Sequence, residues 1–286
     1  MKFATYEHEG NVRVGRVQDD ESTIVPLDIP DMLTLIESQM DTSSLVRSGT
    51  RSVPLKEVRL LAPIPRPRSN VICVGKNYRA HAKEFAQSGY EAGAIKGAEI
   101  DEFPAVFTKR PQSVVGPGAT VSLHPDVTEQ VDYEAELTIV IGRGGRNISR
   151  ADALKHIWGY TIINDVTARD RQRNHKQWYL GKTLDTFCPM GPWIVTADEI
   201  GSDPLQVRTW VNDELRQDAN TRDLIFDIPC LIETISAGTT LEPGDLIATG
   251  TPEGVGIGFR PPKFLKRGDV VTVSIERIGT LTNSFE

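Results

Sequence analysis

The stretch Asp132-Tyr133-Glu134-Ala135-Glu136-Leu137-Thr138-Ile139-Val140-Ile141-Gly142 decides how this chain is read. Its apolar, β-branched run predicts a strand. Side chains alternate across a strand, so Glu134 and Glu136 share one face while Tyr133, Ala135, Leu137, Ile139 and Ile141 take the other. Two carboxylates on one face of an apolar strand repel each other and lose hydration, which is tolerable if the face is wet or a cation lies between them. The run Gly159-Tyr160-Thr161-Ile162-Ile163-Asn164-Asp165-Val166-Thr167 predicts a second strand with a lone aspartate, Asp165, near its end. Two glutamates and one aspartate supply half of an octahedral shell and leave positions for water and a chelating substrate. Oxygen donors with no histidine or cysteine spacing nearby suit Mg²⁺ or Mn²⁺ better than zinc.

Outward from these two strands the chain is rich in short β-prone runs separated by turn signals. They include Val71 to Val74, Ala105 to Thr108, Trp193 to Thr196, Val207 to Asn212, Leu246 to Thr249 and Val270 to Ile275. Asn212-Asp213 tolerates left-handed geometry and predicts a hairpin over Val207 to Gln217. The Gly- and Pro-rich loop Thr251 to Pro262 follows a strand and is expected to border a site, with backbone amides available to an anion. Helices are few. Ser149 with Asp152 forms a capping box and predicts a helix over Ser149 to Trp158. Ile228, Leu231, Ile232 and Ile235 have helical spacing over Ile228 to Ala237, and Gly238 is placed to end that helix. Numerous strands without a helix between each pair predict a mixed, β-rich α+β fold.

The first sixty residues read as a small β-rich unit: Lys2 to Tyr6 and Val12 to Val17 around Glu9-Gly10, then Ile24 to Leu27 and a short helix over Asp31 to Met40. Pro63, Pro65 and Pro67 each fix φ and remove a donor, which predicts an extended linker and a boundary near residue 65. The expected units are 1–65 and 66–286.

Over 286 residues, 32 lysines and arginines face 39 aspartates and glutamates, a net charge of −7, which argues against a protein that binds by neutralising phosphates. Charged residues at 25% and hydrophobic ones at 39% exclude disorder on composition. No apolar run approaches the roughly 20 residues needed to cross a bilayer, and charge comes too early after Met1 for a signal peptide, so a soluble, cytoplasmic protein is expected. Cys73, Cys188 and Cys230 are an odd number, far apart, as suits reduced thiols.

A second local pattern is Gly75-Lys76-Asn77-Tyr78-Arg79-Ala80-His81-Ala82-Lys83-Glu84-Phe85. On a helix Tyr78, Ala82 and Phe85 form an apolar stripe, and His81 and Glu84 are neighbours beside it. A carboxylate beside an imidazole raises its basicity and orients it, as a general base requires. The same spacing also occurs as a plain surface pair.

Several motifs together resemble the fumarylacetoacetate hydrolase family. They are Val74 to Tyr78, Phe107-Thr108-Lys109 to Pro117, Asp132 to Glu136, Asn164 to Asp170, Gly181-Lys182-Thr183 to Pro189, and Thr249 to Gly256, covering roughly residues 70 to 286. The resemblance implies a β-roll catalytic domain, often dimeric, behind a small β-rich N-terminal segment, and hence a homodimer. It implies Glu134, Glu136 and Asp165 as ligands of Mg²⁺ or Mn²⁺. His81 and Glu84 would activate water from a mobile lid helix, and Lys182 would neutralise charge near the oxyanion. Arg169, Gln172 and Thr251 would contact the substrate. Gly89 to Phe103 departs from shorter family versions.

The implied activity is hydrolysis of a C–C bond in an acylpyruvate or 2,4-dioxo acid through a metal-stabilised enolate. Two alternatives use the same electron sink: decarboxylation of oxaloacetate, and keto-enol or diene isomerisation of a 2-oxo dicarboxylate. A non-catalytic ligand-binding protein is a third. The joint presence of His81, Glu84, Lys182 and the three acids argues against it.

Overall fold

A computed structural model describes residues 1–38, 45, 51–90 and 101–286. Most of the strands form one 12-stranded sheet. In spatial order its main path runs through the strands at Val53–Pro54, Thr23–Pro26, Asn11–Val17, Lys2–His8, Cys188–Thr196, Ile157–Asn164, Ala135–Ile141, Leu246–Ala248, Val71–Gly75 and Ala105–Lys109. Neighbours along this path are antiparallel except Leu246–Ala248 with Val71–Gly75. The strands of residues 1–65 enter this sheet through Lys2–His8, which pairs with Cys188–Thr196. This is the mixed, β-rich α+β architecture expected from the strand-rich sequence.

Burial explains the strand composition. Ala135–Ile141 is buried along its whole length, as a central strand covered on both faces requires. Leu137, Ile139 and Ile141 pack into the larger core with Tyr133 and Ala135, whereas Val140, on the face of Glu136, joins a second cluster with Cys73, Ile163 and Ala248. The expected alternation therefore holds, but neither face is wet.

A second sheet of four antiparallel strands orders Glu214–Asn220, Gln206–Val211, Val270–Ile275 and Gly279–Ser284. Its first pair is the expected hairpin, with Val211 opposite Glu214 and Asn212 at φ 55°. The Glu9-Gly10 turn joins His8 to Asn11 with both residues at positive φ. Met32–Ser38 is a helix capped by Asp31, whose Oδ1 accepts from Thr34 N at 2.7 Å, and residues 39–44 lie outside the described residues.

The helix expected over Ser149 to Trp158 is corrected. The Ser149–Asp152 contact forms at 2.8 Å, but it opens only a 3₁₀ turn, Ala153–His156. Ile157 and Trp158 already belong to the next strand, which pairs with Ala135–Ile141, and Trp158 packs on Phe3. Tertiary pairing overrides the local helix signal there. Ile228–Ser236 is helical as expected, with Asp227 capping Cys230 N at 2.9 Å and Gly238 at φ 77° just beyond. Among the described residues no helix is long and apolar enough to cross a membrane.

Gly159 sits where the Ile157–Asn164 strand passes close to the Cys188–Thr196 strand: a Cβ there would lie 2.3 Å from the Val195 carbonyl oxygen. Backbone cannot yield as a flexible side chain can. Gly159→Ala is therefore expected to destabilise the protein by about 2–3 kcal/mol in thermal or urea unfolding. Unchanged stability would contradict this strand register.

Candidate active site

Antiparallel register brings the acids together. Ala135 pairs with Asn164 and Glu136 with Ile163, so the start of one central strand lies against the end of its neighbour. Asp165 N donates to Glu134 O at 2.8 Å, and Glu134 N donates to the Asn164 side chain at 3.0 Å. Two residues separated by thirty positions thus present carboxylates at one place. Glu136 extends from the strand itself. One carboxylate oxygen from each of Glu134, Glu136 and Asp165 lies within 4.8 Å of the others. All three are buried, at 5%, 1% and 0% exposure, which removes the wet-face explanation for the Glu-x-Glu pattern.

Cations surround this cluster. Lys182 Nζ bridges Glu134 Oε2 at 2.6 Å and Asp165 Oδ2 at 2.7 Å. Lys109 Nζ reaches the other oxygen of Asp165 at 2.6 Å and the Val166 carbonyl at 3.0 Å. Arg169 donates through Nε to Asp132 at 2.8 Å and pairs through Nη2 with Glu134 Oε1 at 2.7 Å. Glu136 is different: among the described residues its carboxylate meets one backbone amide, Gly250 N at 2.9 Å, and no cation.

Protonation follows from that asymmetry. Burial opposes ionisation of Glu134, but Lys182, Arg169 and His81 outweigh it and hold its carboxyl well below the usual range. Burial raises the Glu136 carboxyl, and the negative charges of Asp165 and Glu134 raise it further, so it stands well above the usual value. Burial alone would lower the Lys182 ammonium; Asp165 and Glu134 reverse this and keep it charged. Four carboxylates (Asp132, Glu134, Glu136, Asp165) thus share three cations (Lys109, Arg169, Lys182), and the unmatched charge sits at Glu136.

The roof is the helix Arg79–Ser88. Tyr78, Ala82 and Phe85 are buried as the apolar stripe predicts, and His81 is buried as well, with 3% exposure. His81 Nδ1 lies 3.0 Å from Glu84 Oε2. Glu84 is anchored in turn by Gly254 N, which donates to its Oε1 at 3.0 Å. A carboxylate at Nδ1 favours the tautomer with the proton there and leaves Nε2 as the basic nitrogen.

His81, Glu134, Glu136 and Lys182 line one small cavity of about 10 Å³, with Phe85, Phe107 and Trp178 as its apolar walls. Arg169, Gln172 and Thr251 line it too, so the structure gathers all three residues expected to contact substrate. Asp165 and Glu84 reach the cavity through their contacts with Lys182 and His81. The loop after the Leu246–Ala248 strand borders the site through Thr251, while its Val255 and Ile257 pack under the roof with Phe85. Of the stretch Gly89 to Phe103, residues 91–100 lie outside the described residues.

Sequence reasoning gave no role to Lys109, Asp132 or Gln217. Lys109 ends an otherwise apolar strand, a pattern that could have marked it as a buried cation. Asp132 accepts from Gly256 N, Ile257 N and Tyr133 N besides Arg169, and stands inside the decisive motif. Nothing local marks Gln217, whose partners are distant in sequence.

The fumarylacetoacetate (FAA) hydrolase C-terminal family model matches residues 70–286, three quarters of the protein. The chain belongs to the fumarylacetoacetate hydrolase family. Residues 1–63 match a second model, the Rv2993c-like N-terminal one. Oxaloacetate tautomerase YisK of Bacillus subtilis (strain 168) is 47% identical, with both chains covered completely. Among solved structures, fumarylacetoacetate hydrolase from Exiguobacterium antarcticum superimposes with a TM-score of 0.87 at 43% identity, covering 100% of this chain and 99% of that one. Maleylpyruvate hydrolase from Sphingobium sp. SYK-6, in complex with manganese(II) ion and pyruvate, gives 0.78 at 32%, covering 100% and 98%. The protein is thus a member of an enzyme family whose relatives include tautomerases and hydrolases.

Gly258 gives the His81–Glu84 contact a test. A Cβ there would lie 1.8 Å from Glu84 Oε1, so Gly258→Ala is expected to displace the carboxylate while the fold persists. ¹⁵N NMR of the His81 ring should show the Nδ1–H tautomer in the parent protein and a tautomer mixture in the variant. Identical spectra would mean that Glu84 does not fix the imidazole.

Proposed function

We propose that the protein is a divalent-metal-dependent tautomerase of a 2-oxo dicarboxylate, with oxaloacetate as the substrate. The observation that carries this reading is the convergence at one small cavity of a carboxylate-tethered imidazole, three buried acids and a buried ammonium. Similarity over the full length to an oxaloacetate tautomerase supports the choice of substrate.

The donor set fits a hard divalent ion. Three carboxylate oxygens converge, and Glu136 has no cation of its own among the described residues, so a further positive charge there would relieve the repulsion that raises its carboxyl. Glu134, Glu136 and Asp165 would hold Mg²⁺ or Mn²⁺, which when bound supplies Lewis acidity for charge developing on a 2-oxo acid. The neighbouring structure with manganese and pyruvate supports a divalent ion beside such an acid.

The chain's own residues supply the proton transfer. His81 Nε2 takes a proton from C3 of oxaloacetate, the C–H pair becomes the C2–C3 double bond, and the carbonyl pair moves onto oxygen. The imidazolium then returns its proton to that oxygen, giving the enol; the reverse sequence gives the ketone. Glu84 holds the imidazolium and Lys182 favours the transient negative charge. Phe85, Phe107 and Trp178 keep bulk water from the carbanion. The cavity has about 10 Å³ of free room, enough for a single water beside His81.

A second reading, hydrolysis of an acylpyruvate, keeps one specific support: His81 and Glu84 stand beside room for one water, which the pair could deprotonate for attack on a distal carbonyl. Decarboxylation of oxaloacetate needs no attacking water and would depend less on His81.

The readings separate in one assay. With Mg²⁺ or Mn²⁺ present, the protein should accelerate decay of the oxaloacetate enol band, and His81→Ala should reduce that acceleration by about 10²- to 10⁴-fold with metal content unchanged. Acylpyruvate cleavage without enol–ketone acceleration would transfer the assignment to hydrolysis. Full tautomerase activity in His81→Ala would exclude the imidazole as the base.

A further inference from the structure

Gln217 lies on the Glu214–Asn220 strand of the second sheet, fully buried, and uses all four of its hydrogen-bonding positions. Its Nε2 donates to Thr251 Oγ1 at 2.8 Å and to the Pro252 carbonyl at 2.8 Å. Its Oε1 accepts from Thr209 Oγ1 at 2.8 Å and from Ala135 N at 3.2 Å. The orientation of the amide is therefore determined by its surroundings. A flipped amide would set Nε2 against the Ala135 N–H, donor against donor, and Oε1 against the Pro252 carbonyl, acceptor against acceptor.

This has a consequence at the cavity wall. The Thr251 hydroxyl accepts a hydrogen bond from Gln217, so its own proton remains to be donated, and among the described residues no acceptor takes it. Thr251 is 2% exposed and lines the cavity. Arg169 lines the same cavity with its guanidinium held between Asp132 and Glu134. A buried wall with an unspent donor beside a fixed cation discriminates in favour of an anionic oxygen, because a neutral donor group placed there would leave the hydroxyl unpaired.

We propose that Gln217 is a positioning residue that sets the polarity of the Thr251 hydroxyl, making it an obligate donor to the carboxylate or enolate oxygen of the substrate. The inference rests on the 2-oxo acid reading of the site. It adds that affinity for the acid is controlled from the second sheet, by a residue that does not touch substrate.

Two substitutions at Gln217 give opposite orders for affinity and stability. Gln217→Glu still accepts from Thr209 and Ala135 N, and its second oxygen, ionised or with its proton on the Pro252 carbonyl, offers a lone pair to Thr251, so the hydroxyl turns away from the cavity to donate to it. Gln217→Met fills the space and leaves the hydroxyl free to donate, but strands Ala135 N and the Pro252 carbonyl. Pyruvate binding to the Mn²⁺-loaded protein, measured by calorimetry, should weaken by about tenfold or more in Gln217→Glu and by less in Gln217→Met. Thermal stability should fall more in Gln217→Met than in Gln217→Glu. Thr251→Val should match the affinity loss of Gln217→Glu, Thr251→Ser should restore affinity, and Gln217→Glu added to Thr251→Val should cost nothing further.

Multiplicative losses in the double variant, or affinity that simply follows stability, would overturn the assignment and leave Gln217 a packing residue. If either Gln217 variant fails to fold, the Thr251 pair still decides: equal affinities for Thr251→Val and Thr251→Ser would overturn it. Pyruvate binding without any oxaloacetate turnover would remove the proposed reaction and leave this inference standing. Loaded parent protein that binds no pyruvate would remove both.

Discussion

Burying several carboxylates side by side is the constraint on which the rest of this structure depends. Each loses hydration on burial and repels the others, a combination that costs several kcal/mol per ion unless opposite charge is supplied within contact distance. Lys109, Arg169 and Lys182 supply it, and each comes from a different element: the sheet-edge strand Ala105–Lys109, the helix Arg169–Asn174 and the short helix Tyr179–Lys182. The site therefore exists only when distant parts of the sheet are in place. Lys109 is fully buried and is held through Asp165, the Val166 carbonyl and the Lys182 carbonyl, so its geometry fixes both Asp165 and the chain turn that carries Lys182.

The roof obeys a second, steric condition. The loop at residues 254–258 passes so close to its neighbours that a Cβ at Gly254 would lie 1.9 Å from the Arg216 carbonyl, and one at Gly256 2.6 Å from Asp132 Oδ1. Gly254 also has φ 95°, a conformation that suits glycine. The absence of side chains lets backbone amides reach Asp132 and Glu84 directly. One loop thereby orients both the acid that holds Arg169 and the acid that holds His81, coupling the floor of the cavity to its roof.

Much of this was legible in the sequence because the signals were local or periodic. Alternation placed Glu134 and Glu136 on one face, the lone Asp165 closed the apolar run of the adjacent strand, and Asn212-Asp213 marked a two-residue hairpin. The family motifs supplied His81, Glu84, Lys182, Arg169, Gln172 and Thr251. What stayed hidden depends on pairing between distant segments. The Ser149–Asp152 box is a helix signal that fails because Ile157 and Trp158 are claimed by the central sheet. Gly279–Ser284 drew no strand expectation, yet it is a strand because Val270–Ile275 pairs with it. Gln217 sits in an unremarkable polar stretch, and its importance comes from Ala135 and Thr251, neighbours that only the folded chain provides.

The central claim is that the three buried acids form a site for a divalent cation, and diffraction from crystals soaked in Mn²⁺ tests it most directly. Anomalous scattering at the manganese edge should give one strong peak per chain, coordinated by oxygens of Glu134, Glu136 and Asp165, with the Lys182 ammonium moved out of its bridge between Glu134 and Asp165. No peak at that position, with Lys182 still bridging the two carboxylates and Glu136 left without a cation, would contradict it.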